Sequence, residues 1–161
     1  MTTDEQMITR AIKLAQESFE AGDSSFGCVV AKGKKIIMET KNRMKLDDDI
    51  TAHAEIRAIR QMQKKLGTSD LSDYTLYSNF EPCPMCSFMI REAKFRKVVF
   101  SLISRHMGGY SKWNILQDNG LERFAPFFAK PPIVVGGVLE ETMKRLADRV
   151  GWTLLYKGFP A

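Results

Sequence analysis

Two short segments of this chain carry side chains that bind metals and move protons. The first, residues 53–55, holds His53 and Glu55, and the second, residues 82–86, holds Cys83 and Cys86. Zinc in proteins is bound tetrahedrally by nitrogen and sulfur donors, and a catalytic zinc leaves its fourth position to water. One imidazole and two thiols would leave that position open. Glu55 is then free to serve as a base, and the pattern predicts a hydrolytic zinc site.

The cysteines have other interpretations, which the rest of the sequence makes less favourable. Three cysteines are too few for a disulfide framework, and C-x-x-C spacing is typical of a metal or redox site. A redox pair would leave His53 and Glu55 unexplained, so we interpret Cys83 and Cys86 as metal ligands. The third, Cys28, lies in an apolar strand pattern and is expected to be a small buried hydrophobic residue.

The spacing of apolar residues predicts alternating strands and helices. A helix capped by Thr3, with Gln6 at its third position, is followed by two short strands at 26–31 and 36–38. A second helix capped by Thr51 and a third starting at Pro82 would then carry the predicted metal ligands in their opening turns. The remaining predicted elements are strands at 74–78, 95–101 and 133–138, a closing helix at 140–150 and an apolar tail at 152–156. This order favours a mixed sheet with helices on its faces.

Length and composition indicate one ordinary globular domain covering residues 1–161. Hydrophobic residues make up 44% and charged residues 27% of the chain. No apolar run approaches the ~20 residues of a membrane-spanning helix, and the N-terminus lacks a basic stretch followed by an apolar one. We therefore expect no membrane association, no secretory signal and a cytoplasmic location.

The chain is basic, with a net charge of +5, which raises the question of a nucleic-acid partner. Excess Lys and Arg can neutralise phosphates. Here, however, the basic residues occur in short clusters separated by strands and helices, at 32–35, 64–65 and 94–97. A nucleic-acid partner is possible on these grounds, but it is not favoured.

The combined motifs resemble those of the cytidine and deoxycytidylate deaminase superfamily, whose zinc-dependent members share the pattern H-x-E…P-C-x-x-C. The resembling run extends from residue 26 to residue 100, and within the superfamily it is most similar to bacterial guanine deaminases and tRNA-specific adenosine deaminases. The resemblance implies a three-layer α/β/α fold with a mixed central sheet of about five strands and helices on both faces. It also implies one zinc ion per chain and a homodimer. The apolar tail, which has little chain left to cover it, favours the homodimer as well.

The resemblance also implies roles for individual residues. Glu55 would carry protons between water, a ring nitrogen and the departing amine, beside a zinc held by His53, Cys83 and Cys86. Substrate contacts would come from the Asn42 side chain, the Ala54 backbone amide and the Phe26 ring. Glu81 precedes the cysteine motif as in purine deaminases, either as a proton carrier or as a brace for its loop. Tyr110 and Trp113 lie in a glycine-containing loop and could stack on the substrate ring or pack that loop onto the core.

These features predict hydrolytic deamination of an amino-substituted nucleobase, with guanine first. The alternatives are a tRNA-specific adenosine deaminase, or an enzyme acting on cytosine, cytidine or an aminotriazine. A non-catalytic, zinc-stabilised binding module is a further alternative. Such a module would normally need a fourth protein ligand, and the sequence offers no matching ligand residue near the motifs.

Overall fold

The computed structural model describes residues 1–160, in which a five-stranded sheet lies between two layers of helices. The elements in chain order are α1 (Thr3–Glu20), β1 (Gly27–Lys32), β2 (Lys35–Lys41), α2 (Ala54–Leu66), β3 (Thr75–Phe80), α3 (Pro84–Glu92), β4 (Lys97–Leu102), β5 (Ile133–Val135), α4 (Glu140–Arg149) and α5 (Thr153–Lys157), with a 3-10 turn at Asn119–Phe124 before β5.

The sheet is mixed, as the sequence predicted. Its strands are ordered β2-β1-β3-β4-β5, and β1 runs antiparallel to both β2 and β3. The neighbours β3, β4 and β5 are parallel, because each connection between them crosses over the sheet through helix or loop. The predicted three-layer α/β/α fold is therefore confirmed.

Successive side chains of each strand point to opposite faces of the sheet, and one layer of helices covers each face. Val30, Leu76 and Val98 point towards α2 and α3, in a core that includes Ile59, Met62 and Ile90. Their chain neighbours point the other way, towards α1; these are Val29, Tyr77 and Val99. Successive side chains of a strand face opposite sides, so strands covered on both faces read as nearly continuous apolar runs.

Three helices begin at other residues than the sequence predicted, and one of them is α3, which begins at Pro84 and not at Pro82. The N-cap of α1 is Thr2, whose hydroxyl accepts from Glu5 N (3.2 Å) while the Glu5 carboxylate accepts from Thr2 N (2.6 Å). This reciprocal capping box uses an ionised side chain, which also interacts favourably with the positive helix end. The N-cap of α2 is His53 and not Thr51, because the Thr51 hydroxyl donates to Asp49 in the preceding turn.

The C-terminal segment is packed against its own chain. Residues that the sequence assigned to an apolar tail form the short helix α5, in which Tyr156 is buried. Tyr156 joins Phe80, Leu102 and Leu146 in a cluster at the end of the sheet. The expectation that this segment lies uncovered is wrong, because α4 and the end of the sheet cover it. None of the helices within residues 1–160 is both long and apolar enough to cross a membrane.

Candidate active site

Two helix N-termini point at the same place and carry the predicted metal ligands. His53 is the N-cap of α2, and Cys83 is the N-cap of α3, followed by Pro84 in the first turn. Cys86 lies in the same first turn of α3. Proline is favoured there because the first N–H groups of a helix have no internal partner. These free N–H groups give the site a partial positive potential that stabilises thiolates.

The three donor atoms fit a single tetrahedral ion. His53 Nδ1 lies 3.6 Å from Cys83 Sγ and 3.5 Å from Cys86 Sγ, and all three atoms lie within 4.8 Å of one another. Zinc bonds of ~2.0–2.1 Å to nitrogen and ~2.3 Å to sulfur place tetrahedral N and S ligands about 3.6 Å apart. Among residues 1–160, the group that could hold a metal comprises these three residues and leaves out Cys28, which is packed in the core.

The charge state of the cysteines also suits a cation. The hydrogen bond from Cys86, with a second contribution from His53, lowers the pKa of Cys83 to about 4. The neighbouring Cys83 sulfur and burial raise the pKa of Cys86. The Cys83 sulfur in turn raises the pKa of His53. Because metal ligands must be deprotonated, metal binding at these residues would release protons.

Glu55 is buried beside the ligands without belonging to their group. Its Oε1 accepts a 2.9 Å hydrogen bond from the Ser78 hydroxyl, and Cys86 Sγ lies 3.6 Å from its Oε2. Burial, with the negative charge of Cys83, raises the pKa of this carboxyl group above its usual value. A raised pKa makes the carboxylate a stronger base, which suits a group that takes up a proton and later releases it.

Sequence reasoning missed Ser78 as a partner of this carboxylate. Ser78 occupies an inward-facing position of β3, between Leu76 and Phe80, and is fully buried. A hydroxyl at an inward position of an apolar strand needs a partner, because an unpaired buried polar group is costly. That was the available signal, although the sequence alone could not identify Glu55 as the partner.

A cavity of about 140 Å³ opens onto His53, Glu55 and Cys83. Its remaining walls are mainly apolar and are formed by Phe26, Phe80, Glu81, Ser104, Met107, Trp152 and Leu155. Phe26 was predicted here, whereas Trp152 and Leu155 were not. The Trp152 ring packs against Phe26 with ring centres 5.7 Å apart. The largest surface cavity, about 510 Å³, lies along α2 and α3 and contains none of the predicted site residues.

Glu81 holds the loop that follows β4. Its carboxylate accepts four hydrogen bonds, from the backbone N–H groups of Ser104, Tyr110 and Ser111 and from the Ser111 hydroxyl, at 2.6–3.0 Å. The loop can approach this closely only because residue 108 is glycine, since a Cβ there would lie 2.3 Å from the Glu81 carboxylate. Glu81 was predicted either to carry protons or to brace its loop. These four hydrogen bonds support the second role.

The other predicted substrate residues have different surroundings. Asn42 is buried, and its side-chain amide donates to Asp23. Ala54 is the first residue of α2, where backbone N–H groups lack helical partners. Tyr110 packs edge-on against Phe100, and Trp113 is largely exposed with its indole N–H donating to His106 O. Neither aromatic ring lines the cavity, so the geometry does not support their predicted stacking on substrate.

Comparison with known proteins agrees with this arrangement. The family described as the cytidine and deoxycytidylate deaminase zinc-binding region matches residues 1–102. A tRNA-specific adenosine deaminase of Aquifex aeolicus (strain VF5) is 31% identical over 147 residues, which are 91% of this chain and 97% of that protein. A guanine deaminase of Bacillus subtilis (strain 168) is 42% identical over 98 residues, which are 60% of this chain and 63% of that protein.

Solved structures show the same similarity in three dimensions. A structure from work on A-to-I editing by tRNA:A34 deaminases superposes with a TM-score of 0.77 at 26% identity, covering 88% of this chain and 98% of that one. A guanine deaminase from Nitrosomonas europaea superposes with a TM-score of 0.75 at 23% identity, covering 91% of this chain and 83% of that one. The second similarity, at this low identity, supports the fold alone.

Proposed function

The chain belongs to the cytidine and deoxycytidylate deaminase family, and on that premise we propose that it deaminates guanine to xanthine, with release of ammonia. His53, Cys83 and Cys86 would hold one zinc ion. When bound, zinc lowers the pKa of water towards neutrality and so makes water a nucleophile at physiological pH. The proposal makes guanine the substrate and Glu55 the residue that carries protons during the reaction.

Glu55 would carry both protons of this reaction. Its carboxylate would take a proton from the attacking water and deliver it to a ring nitrogen beside the carbon under attack. It would then take the second proton from the hydroxyl group that water has added to that carbon and give it to the amino group, which leaves as ammonia while the carbon becomes a carbonyl. Guanine and water are thereby converted to xanthine and ammonia, with no net proton left on the enzyme. Ser78 keeps Glu55 pointed into the cavity through its bond to Oε1.

The observation that carries the choice of a free base is the closure of the cavity by this chain's own C-terminal segment. Trp152 and Leu155 line the same cavity as the predicted metal ligands His53 and Cys83. The segment is held by Arg105, whose N–H donates to Leu155 O (2.8 Å) and whose Nε donates to Tyr156 O (2.7 Å). A cavity of about 140 Å³ is well below the ~300–1,000 Å³ typical of drug-sized ligands. Its size and flat aromatic walls suit a single base better than a nucleotide within RNA.

A second candidate is deamination of adenosine in tRNA, and one specific observation favours it. The Aquifex aeolicus tRNA-specific adenosine deaminase is matched along 97% of its length, whereas the Bacillus subtilis guanine deaminase is matched along 63%. The chain is also basic, and Arg57, Arg60 and Lys64 lie together on the outer face of α2. An RNA-binding face of this kind would make turnover strongly salt-dependent.

Ammonia release from a panel of substrates tests the proposal. The panel contains guanine, adenine, cytosine, their nucleosides and a tRNA anticodon stem-loop, each assayed with the zinc-loaded protein at two salt concentrations. We expect turnover of guanine with little dependence on salt. Fast, salt-sensitive turnover of the stem-loop, with none of guanine or the other free bases, would replace this proposal by the tRNA alternative.

Two tryptophan variants test whether the cavity wall or the exposed loop contacts the base. Trp152→Ala should raise KM for guanine about tenfold or more, because base–aromatic stacking is worth ~1–3 kcal/mol. It should also reduce the preference for guanine over guanosine by opening the cavity. Trp113→Ala is the matched comparison, and the variant with the larger change in KM identifies which indole contacts the ring.

A further inference from the structure

Asp23, outside every motif discussed so far, is a buried carboxylate that bonds to Asn42, a predicted substrate-binding residue. It follows α1 and is only 2% exposed. Its Oδ1 accepts from Ser24 N and from Asn42 Nδ2, both at 2.7 Å. Its Oδ2 accepts from Lys45 N (3.0 Å) and Leu46 N (2.9 Å). A buried charge is normally tolerated only when it is paired or fully hydrogen-bonded, and Asp23 satisfies the second condition.

Three of these bonds connect Asp23 to the segment that leads from β2 to His53. That segment begins at Asn42, whose N–H donates to the carbonyl of Phe26, a wall of the cavity. It returns to the site where Arg43 N–H donates to Ala52 O, next to His53. Asp23 therefore contacts the segment that runs from the cavity wall Phe26 to the predicted metal ligand His53.

The bond to Asp23 also determines which way the Asn42 amide points. A carboxylate only accepts hydrogen bonds, so the group facing it must be Nδ2. Rotating the amide by half a turn would place two acceptor oxygens 2.7 Å apart and remove a charge-assisted bond, which is roughly twice as strong as a neutral one. No hydrogen bond from residues 1–160 reaches Asn42 Oδ1, and this atom is not among the fully buried polar atoms that lack a partner, so it keeps contact with solvent. Asn42 is not a lining residue of the cavity, but its backbone N–H bonds to Phe26, which is. The carbonyl oxygen of Asn42 therefore has a fixed direction and can accept a further hydrogen bond.

We propose that Asp23 is a positioning residue of the deaminase site, which locks the Asn42 amide with its carbonyl oxygen presented to an N–H group of the substrate. The inference rests on the proposed deaminase function and on the substrate contact that the family resemblance implies for Asn42. A freely rotating amide offers a donor or an acceptor equally well and so discriminates little between ring edges. A locked acceptor selects a base edge that carries N–H and rejects one that carries only lone pairs. Free guanine has several such N–H groups.

A double-mutant cycle tests whether Asp23 acts through Asn42. Asp23→Asn is nearly isosteric, and its amide would allow Asn42 to rotate. We expect KM for guanine to rise about tenfold, the scale of one lost buried hydrogen bond, with kcat changed less than about threefold. In the Asn42→Ala background the same substitution should change KM less than about twofold. An equal change of KM in both backgrounds would mean that Asp23 only braces the backbone, and would overturn the inference.

A substrate-independent measurement examines the contact itself. The side-chain amide signal of Asn42 in an ¹⁵N–¹H spectrum, assigned by its loss in Asn42→Ala, should show one slowly exchanging, hydrogen-bonded proton. Asp23→Asn should abolish that protection. Asp4→Asn serves as the control, because Asp4 bonds to Tyr77 and Lys97 and has no contact with Asn42. An Asn42 signal unchanged in Asp23→Asn would overturn the inference whatever the substrate.

The two proposals can fail separately. If the native enzyme deaminates only the stem-loop, the guanine assignment fails, and the cycle is run with that RNA. Coupling between Asp23 and Asn42 would then support the positioning role, and additive effects would contradict it. A zinc-loaded native protein with no activity on any member of the panel would overturn both.

Discussion

The hydroxyl of Ser78 donates a 2.9 Å hydrogen bond to Glu55 Oε1, and so a residue of β3 holds a carboxylate of α2 beside two cysteines of α3. With Oε1 engaged, Oε2 faces Cys86 and the cavity. The helices α2 and α3 lie on the same face of the sheet and meet at the end of β3, where parallel α/β folds generally place their ligands.

The first prediction concerns Glu55. In Glu55→Gln the amide oxygen can still accept from Ser78, so we expect the fold and the zinc content to be retained. Turnover should fall at least ~10²-fold, since an amide cannot carry a proton and general acid–base groups contribute on this scale. Turnover is measured by ammonia release, and zinc by elemental analysis of the same sample. Normal turnover in the variant would mean that another group acts as the base.

The second prediction concerns the metal. Cys83→Ala should abolish stoichiometric zinc binding and lower the melting temperature, because the free energy of metal binding contributes to folding. Cys28→Ala is the matched control, since Cys28 is a buried thiol outside the ligand group. It should keep one zinc per chain. Full zinc occupancy in Cys83→Ala would contradict the assignment of the ligands.

The third prediction separates the two possible roles of Glu81. In Glu81→Gln an NH2 group would face N–H donors of the 104–111 loop, leaving them unpaired. We expect the free energy of unfolding to fall by about 1–3 kcal/mol, and KM to rise because Ser104 and Met107 line the cavity. Chemical denaturation and steady-state kinetics measure the two effects. A proton carrier would instead lose kcat by ~10²-fold with unchanged stability.

The fourth prediction follows from the pKa of Asp23. Burial raises this pKa, but four hydrogen bonds outweigh burial and hold it below the ordinary value of 3.8. A carboxyl group with a lowered folded-state pKa stabilises the protein above its unfolded pKa and loses that contribution as pH falls through the folded value. The melting temperature of Asp23→Asn should therefore lie below that of the native protein at pH 7, with the gap shrinking below pH 3.8. A gap independent of pH would show that charge is not the cause.

The fifth prediction is a homodimer, suggested by the family resemblance. The packed C-terminal segment no longer argues for it, but Phe88 and Phe127 are exposed, on α3 and in the loop after the 3-10 turn. We expect light scattering to give twice the chain mass of 18.3 kDa. Phe88→Asp should weaken that association if this surface forms the interface. A strictly monomeric mass at micromolar concentration would refute the prediction.

Much of the fold was predictable because its signals are local. The inward-facing residues of β1, β3 and β4 form apolar runs, Gly67 ends α2 in a left-handed conformation, and Pro84 sits in the first turn of α3. The predicted strand at 133–138 is shorter in the structure and ends at Val135. It ends there because residue 136 lies against the ring of Phe100, and Gly137 has φ +83°. A contact between distant residues decided that boundary.

The same division holds for the site. His53, Glu55, Cys83 and Cys86 could be read from the sequence, because a metal site constrains residue type and spacing within single helical turns. The partners Ser78 and Asp23, and the walls Trp152 and Leu155, depend on which segments the sheet and α5 bring together. Side chains far apart in sequence meet only through packing, which spacing along the chain does not record. The sequence by itself therefore determined which residues make up the candidate site, and tertiary structure decided how Glu55 is held and how small the cavity beside it is.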